Sequence, residues 1–335
     1  MTIKFGFIGC GKVARFHAEA VRALGHSIVS VAARHGSPNI GPFAHDFSVP
    51  ARFDDWKRLI SETKPDALVV CLGWDKTEGE IEEIIRQGIP VLIEKPVALS
   101  SEKLRDIMEN TREFHDRVMV SYNRRFYDFI PCLKDVIQTE LLLSIELNCP
   151  EAVSSLVKSK GSAIVHHMLV YMTSHWLDLL AYLTGPLRMV SMKSLFNQKK
   201  GYIDSYNGLL EAGDAGVPVH FQANFDTPSN TGMTFNFSDS VYRLSPIESL
   251  TIFRGMDILA PTKEYPLKKY VPQQASVMNT DMTHKPGFLE QVRWFADTCV
   301  ARKADDGRGC RLTEALAITK LCEAIGQARP VPSPL

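Results

Sequence analysis

The chain has no C-x-x-C pair, no apolar run long enough to cross a bilayer and no net charge. Its seven cysteines, Cys10, Cys71, Cys132, Cys149, Cys299, Cys310 and Cys322, are odd in number and scattered. That pattern argues against a disulfide framework or a zinc site, and reduced thiols, mostly buried, are expected instead. No metal site is expected. The longest apolar runs, such as residues 67 to 72, fall far short of the roughly 20 residues a membrane helix needs. The N-terminus, Met1-Thr2-Ile3-Lys4-Phe5, enters a strand directly and leaves no room for a signal peptide, so a cytoplasmic location is expected. Thirty-eight basic residues balance 38 acidic ones, so bulk electrostatics points to neither a nucleic-acid nor a membrane partner. With 335 residues, 45% hydrophobic and 23% charged, the chain is long and apolar enough for two domains with separate cores.

The first 120 or so residues alternate strand and helix patterns. Ile3 to Ile8 reads as a strand, and Lys12 to Leu24 as a helix with Val13, Phe16, His17, Ala20, Val21 and Leu24 on one stripe. Strands follow at 28–33, 66–72, 91–93 and 118–122. Helices are expected from Asp54-Asp55, from Glu78 to Gln87, and after Ser100-Ser101, whose hydroxyl suits an N-cap. This βαβ rhythm predicts a parallel sheet with helices on both faces. After Asn123 the pattern changes. A helix over 126–138, a strand over 141–147 and a long apolar helix over 164–183 precede successive strands at 187–196, 208–212, 217–225, 233–237 and 248–253. Strands without intervening helices predict an antiparallel sheet. Helices over 287–300 and 312–328 close the chain, and Pro330, Pro332 and Pro334 mark a frayed tail. The fold class expected is α/β. Residues 1–122 form a Rossmann dinucleotide-binding domain, and residues 123–335 an α+β domain with a large, mostly antiparallel sheet.

Gly9-Cys10-Gly11-Lys12-Val13-Ala14 fits G-x-G-x-x-A between the first strand and the first helix. Gly9 permits the tight turn, Gly11 lets the backbone approach a pyrophosphate, and Ala14 lets helix and strand pack closely. The helix N–H groups at Lys12 and Val13 then face the phosphates. Leu72, closing the strand over 66–72, is counted with the cofactor-binding residues. The second strand ends at Ala32-Ala33-Arg34, without the acidic residue that binds the ribose 2′-hydroxyl of NAD. A guanidinium at Arg34 suits a 2′-phosphate, so NADP is favoured over NAD.

Glu94-Lys95-Pro96 follows the apolar run Ile89 to Ile93. Ligands bind outside the carboxyl ends of strands in an open parallel sheet, which places Lys95 where a small-molecule substrate sits. Beyond it, Tyr122-Asn123-Arg124-Arg125-Phe126 ends the last strand of the first domain, and His175-Trp176-Leu177-Asp178 lies on the long second-domain helix.

Taken together these motifs resemble the glucose–fructose oxidoreductase / inositol dehydrogenase / rhizopine-catabolism (Gfo/Idh/MocA) family. The resemblance is clear over the first 125 residues or so and partial to Gly185. It implies an NAD(P)-dependent oxidoreductase acting on a hydroxyl or ketone of a polyol, sugar or nucleotide-linked sugar, assembled as a homodimer or homotetramer. It implies that Lys95 hydrogen-bonds the reacting oxygen, through a Lys95–Pro96 bond that is cis in relatives. Glu94 binds the nicotinamide ribose, and Asn123 helps to hold the nicotinamide. His175 is the general acid or base, and Asp178 contacts a substrate hydroxyl. Arg125 either anchors an anionic substrate or pairs with an acidic group at the domain junction. The chain departs from the family pattern four residues before the histidine, where many relatives have aspartate and this chain has Tyr171. Three readings stay open: Lys95 and His175 work alone, Tyr171 serves as proton donor, or the protein binds cofactor without hydride-transfer activity, as a sensor or structural subunit.

Overall fold

The structure, a computed structural model, describes residues 2–332. Strands β1 (Lys4–Ile8), β2 (Ser27–Ala32), β3 (Ala51–Phe53), β4 (Ala67–Val70), β5 (Val91–Ile93) and β6 (Val118–Val120) alternate with helices α1 (Lys12–Ala23), α2 (Ile40–Asp46), α3 (Trp56–Thr63), α4 (Thr77–Ile85) and α5 (Ser101–Asn110). The strands form one parallel sheet in the order β3-β2-β1-β4-β5-β6. Alternation along the strands builds a core on each side. Phe5, Phe7, Val69, Leu92 and Met119 face one way, and Ile8, Leu68, Val70, Ile93 and Val120 the other. A sheet buried on both faces reads as near-continuous apolar runs, as these strands do. Helix ends follow their caps: Asp55 accepts from the Lys57 amide and Ser100 from the Lys103 amide. Two short elements, α2 and β3, are absent from the sequence expectation because neither is long enough to show a period.

The rest of the chain contains α6 (Ile130–Thr139), β7 (Leu142–Asn148), α7 (Val153–Lys160), α8 (Ser174–Thr184), β8 (Leu187–Asn197), β9 (Tyr202–Ala212), β10 (Val217–Asn224), β11 (Gly232–Phe237), β12 (Ser240–Leu244), β13 (Ser249–Leu259), β14 (Lys269–Asn279), α9 (Phe288–Phe295), α10 (Leu312–Gly326) and β15 (Pro330–Pro332). Nine of the strands form a second sheet, ordered β14-β13-β12-β11-β7-β10-β9-β8-β15. It is antiparallel except where β7 meets β10 and β8 meets β15. Its period-2 alternation buries Val219, Phe221 and Ala223 on β10 and Met233, Phe235 and Phe237 on β11. The chain is thus α/β, with a parallel Rossmann-type sheet first and a mostly antiparallel sheet after it.

The chain falls into two compact units, each assembled from separated stretches. The first unit comprises the chain up to Tyr127, then Leu169–Asp178 and Asp281–Glu323; the second comprises Asp128–Met168, Leu179–Thr280 and the chain from Ala324. The physical reason is apolar burial. On α9, Phe288, Val292 and Phe295 join the core of Phe5 and Phe7, with the Phe5 and Phe295 rings 6.4 Å apart. The entry to α9 requires glycine: Gly287 has φ +78°, and a Cβ there would lie 2.1 Å from the Asn123 carbonyl oxygen.

Three expectations are corrected. The helix expected over 126–138 is a 3-10 turn at Asn123–Phe126 followed by α6. Pro131 sits in the first turn of α6, where its missing N–H costs nothing. The long helix over 164–183 is three pieces: a 3-10 turn (Ser162–His167), a π-helical turn (Leu169–Thr173) and α8. The tail is not frayed at Pro330–Pro332, which pairs parallel with β8 at an edge of its sheet, where proline is tolerated; Pro334 lies outside the described residues. Among the described residues, no helix is long and apolar enough to cross a membrane.

Candidate active site

The Gly-rich turn leaves β1 with Gly9 at φ +98°, where an added Cβ would meet the Cys71 carbonyl oxygen at 2.2 Å. Only glycine lets β1 turn this tightly against the end of β4. Gly11 caps α1 with no side-chain hydrogen bond, and the first turn contains no acidic residue. A Cβ on Gly11 would meet nothing within 4 Å. Lys12 and Val13 are exposed and Ala14 is fully buried. The result is a helix N-terminus with free N–H groups, a partial positive charge and open space in front of it, which fits a pyrophosphate. Leu72, just beyond β4, packs half-buried against the core beside it.

Past β2, a cavity of about 190 Å³ is lined by Ala33, Arg34, Ser37, Arg52, Phe53 and Asp54, among others. Arg52 is a residue that sequence reasoning missed, because it reaches this place only through β3, where it pairs with Val31 of β2. Among the described residues, neither Arg34 nor Arg52 has a carboxylate partner. Two guanidiniums in one cavity suit a doubly charged phosphate group.

Lys95 follows β5, and the Lys95–Pro96 bond is cis. Its ammonium donates to the main-chain oxygen of Tyr171 and lies 4.7 Å from the centre of the Tyr171 ring. Tyr171 therefore meets Lys95 with its backbone and its ring face. It sits in the π-helical turn, a wider turn that re-aims backbone and side chains and recurs at functional sites. Burial, and then the charge of Glu94, push the Tyr171 hydroxyl pKa up, so its proton is held more tightly than in free tyrosine.

Glu94 lies beside Lys95 with one oxygen already committed. Its Oε1 is 2.7 Å from His17 Nε2 and accepts from Ser121 Oγ at 2.7 Å. Burial raises its pKa, but His17, Ser121 and Lys95 together outweigh burial and hold it below the usual carboxylate value. Ser121 in turn accepts from Gln291 Nε2 at 2.9 Å.

His175, on the first turn of α8, is buried and meets the Tyr122 ring edge-on at 5.6 Å. Its Nδ1 has no hydrogen-bond partner. Burial first, then the charges of Arg124, Lys95 and Lys285, push its pKa well below the ordinary histidine value. The imidazole is neutral at pH 7 and able to accept a proton. Arg124 is held above the Trp176 ring at 4.2 Å.

Three of the candidate residues hold partners within the protein. Asp178 is fully buried, and both its oxygens accept from Arg125, at 2.6 Å and 2.9 Å. Arg125 also donates to Glu314 at 2.8 Å. The pair is buried, and pairing with an acidic group is one of the two readings open for Arg125. The Asn123 amide is likewise spent, donating to the Pro286 oxygen at 2.8 Å and accepting from Arg124 at 3.1 Å. It ties the turn after β6 to the entry of α9.

A parallel sheet with a Gly-rich turn and an open helix N-terminus at the strand ends defines a Rossmann-type fold. Residues 3–122 match the model of the oxidoreductase family with NAD-binding Rossmann fold, GFO_IDH_MocA. The chain is 25% identical over 147 residues to inositol 2-dehydrogenase of Rhizobium meliloti, covering 44% of each chain. It is 32% identical over 130 residues to inositol 2-dehydrogenase of Paracoccus denitrificans, covering 38% of each. The matches thus span less than half the length of these relatives. Among solved structures, an oxidoreductase from Agrobacterium radiobacter in complex with NAD+, L-tartaric acid and magnesium superposes with a TM-score of 0.76 at 16% identity, covering 97% of this chain and 95% of the other. KijD10, a 3-ketoreductase from Actinomadura kijaniata in complex with NADP and TDP-benzene, gives 0.75 at 16% identity, covering 100% of both. At such identity the likeness is one of fold.

Arg125→Met leaves the Asp178 carboxylate buried without a cation. It is expected to destabilise the protein by about 3–5 kcal/mol, read as a lower urea midpoint. Arg125→Met combined with Asp178→Leu removes both charges and is expected to recover most of that loss.

Proposed function

We propose that the protein is an NAD(P)-dependent oxidoreductase acting on a hydroxyl or ketone of a polyol, sugar or nucleotide-linked sugar. The observation that carries this reading is Lys95. Its ammonium stands past the carboxyl end of β5, with its neighbour Glu94 at the same strand end, and close enough to His175 for its charge to depress that imidazole. The open N-terminus of α1 would hold the pyrophosphate, Glu94 Oε2 the nicotinamide ribose, and Arg34 with Arg52 a 2′-phosphate, which favours NADP. A bound nicotinamide supplies the hydride acceptor or donor. Lys95 would hydrogen-bond the reacting oxygen and stabilise negative charge on it. His175, neutral at the working pH, would take the hydroxyl proton in oxidation and return it in reduction. Tyr171 keeps Lys95 in place with its main-chain oxygen, a role that needs no carboxylate at that position. On the family resemblance, the assembly we propose is a homodimer or homotetramer.

The direct test is a screen of polyols, sugars and nucleotide sugars for absorbance change at the reduced-nicotinamide band. A protein that binds dinucleotide yet turns over none of them favours a second reading, a cofactor-binding member without dehydrogenase activity. The tyrosine where many relatives carry an acid motivates it.

Lys95→Met is expected to lower turnover roughly a hundred- to a thousand-fold while dinucleotide affinity changes little; unchanged turnover sinks the assignment. Because burial and three cations disfavour the imidazolium of His175, its proton leaves at lower pH than in free histidine. The rate of oxidation is therefore expected to stay flat as pH falls through about 6.5 and to drop only below it. An acid limb centred at or above that value would exclude His175 as the base. Replacing Arg34 and Arg52 together by alanine is expected to weaken NADP roughly tenfold or more, with NAD affinity unaltered. Equal losses for both dinucleotides would remove the 2′-phosphate assignment.

A further inference from the structure

Glu94 is held from three directions by residues that the proposed chemistry does not itself use. His17 comes from α1, Ser121 from the end of β6 and Gln291 from α9. His17 and Gln291 are fully buried and Ser121 is 1% exposed. The direction of each hydrogen bond is fixed by chemistry. An ionised carboxylate only accepts, so His17 Nε2 must carry the proton it gives to Glu94 Oε1. Gln291 Nε2 only donates, so it occupies an acceptor site on Ser121 Oγ and leaves the hydroxyl proton for Glu94. The His17 ring is set by Phe288, whose ring centre is 4.7 Å away. Both bonds that reach Glu94 end on the same oxygen, Oε1. Among the described residues nothing donates to Oε2, and the side chain is 14% exposed, so Oε2 is the oxygen left for a ligand.

The arrangement is not what stability alone selects. His17 Nδ1 and Gln291 Oε1 are both buried without a partner. An apolar pair of similar shape would fill the same space without two orphaned polar atoms. What the polar residues add is direction: they fix the plane of one carboxylate.

We propose that His17, Ser121 and Gln291 are positioning residues that aim Glu94 Oε2 at a hydroxyl of the nicotinamide-side ribose. The inference rests on the dinucleotide reading above and extends it to residues outside the binding turn. Orientation of this kind acts through the ligand's fit, and loosening a supporting group degrades it even when the contacting residue is intact.

The test measures dissociation constants by fluorescence titration for whole dinucleotide and for the adenosine half alone, ADP or 2′,5′-ADP, which has no nicotinamide ribose. Ser121→Ala and His17→Ala are expected to weaken the whole dinucleotide roughly tenfold. Both should leave the half-ligand within about twofold, since its site does not involve Glu94. His17→Gln, which keeps a donor at the reach of Nε2, is expected to restore most of the affinity. Equal weakening of both ligands overturns the inference, because it marks a general structural loss. Unaltered affinity for whole dinucleotide in the variants also overturns it. A wild-type protein that binds neither NAD nor NADP removes the dinucleotide reading itself, and the inference with it.

Discussion

A guanidinium taken out of water needs compensating charge and hydrogen bonds, and Arg125 receives both from Asp178, with Glu314 adding a third contact. This buried ion pair organises the first unit around its candidate site. It joins the 3-10 turn that follows β6 to the first turn of α8 and to the start of α10, three stretches far apart in sequence. His175 lies three residues before Asp178, on the same helix face. Whatever fixes Asp178 therefore fixes His175. Desolvation makes such a pair a weak source of net stability but a strong source of specificity in where the helix sits. The burial that seals Asp178 also excludes water from His175 and lowers its proton affinity.

The charges around the site are sorted. Glu94 is ionised and tied down by donors, so it neighbours Lys95 as a fixed negative charge. Burial first, then the charges of Arg124, Lys95 and Lys285, disfavour protonation of His175. Separating a fixed cation from a neutral proton acceptor is the condition for giving them different jobs in one reaction. The sorting arises from packing: the stacking of Arg124 on Trp176 and the return of α9 each hold a charged or polar group at its station.

Much of the first unit was legible in the sequence because its signals are local. The Gly9–Ala14 turn, the apolar strands and the caps at Asp55 and Ser100 follow from periodicity and turn chemistry within a few residues. What escaped was non-local or too short. Arg52 lies on a three-residue strand without a period, and its nearness to Arg34 exists only through pairing with β2. The Arg125–Asp178 bond spans 53 residues, so an acidic partner for Arg125 could be expected from the sequence but not identified as Asp178. The breaks in the helix over 164–183 left no mark, because a π-helical turn keeps an apolar composition while shifting its register. Strand β14 lacked the usual alternation because most of its side chains are exposed. The return of residues 281–323 to the first unit depends on glycine at 287, whose tight approach to Asn123 is invisible until both are in place.

The acceptor that holds the Lys95 ammonium is a main-chain oxygen, and every amino acid has one. Position 171 is thereby released from the need to supply an oxygen from its side chain. Descendants of this sequence are free to vary it within the limits of packing against Trp74 and the lysine stem, and to explore new ligand contacts there without losing the ammonium's anchor. A survey that recognises this site by its side chains alone would score the position as vacant, although the peptide backbone already occupies it.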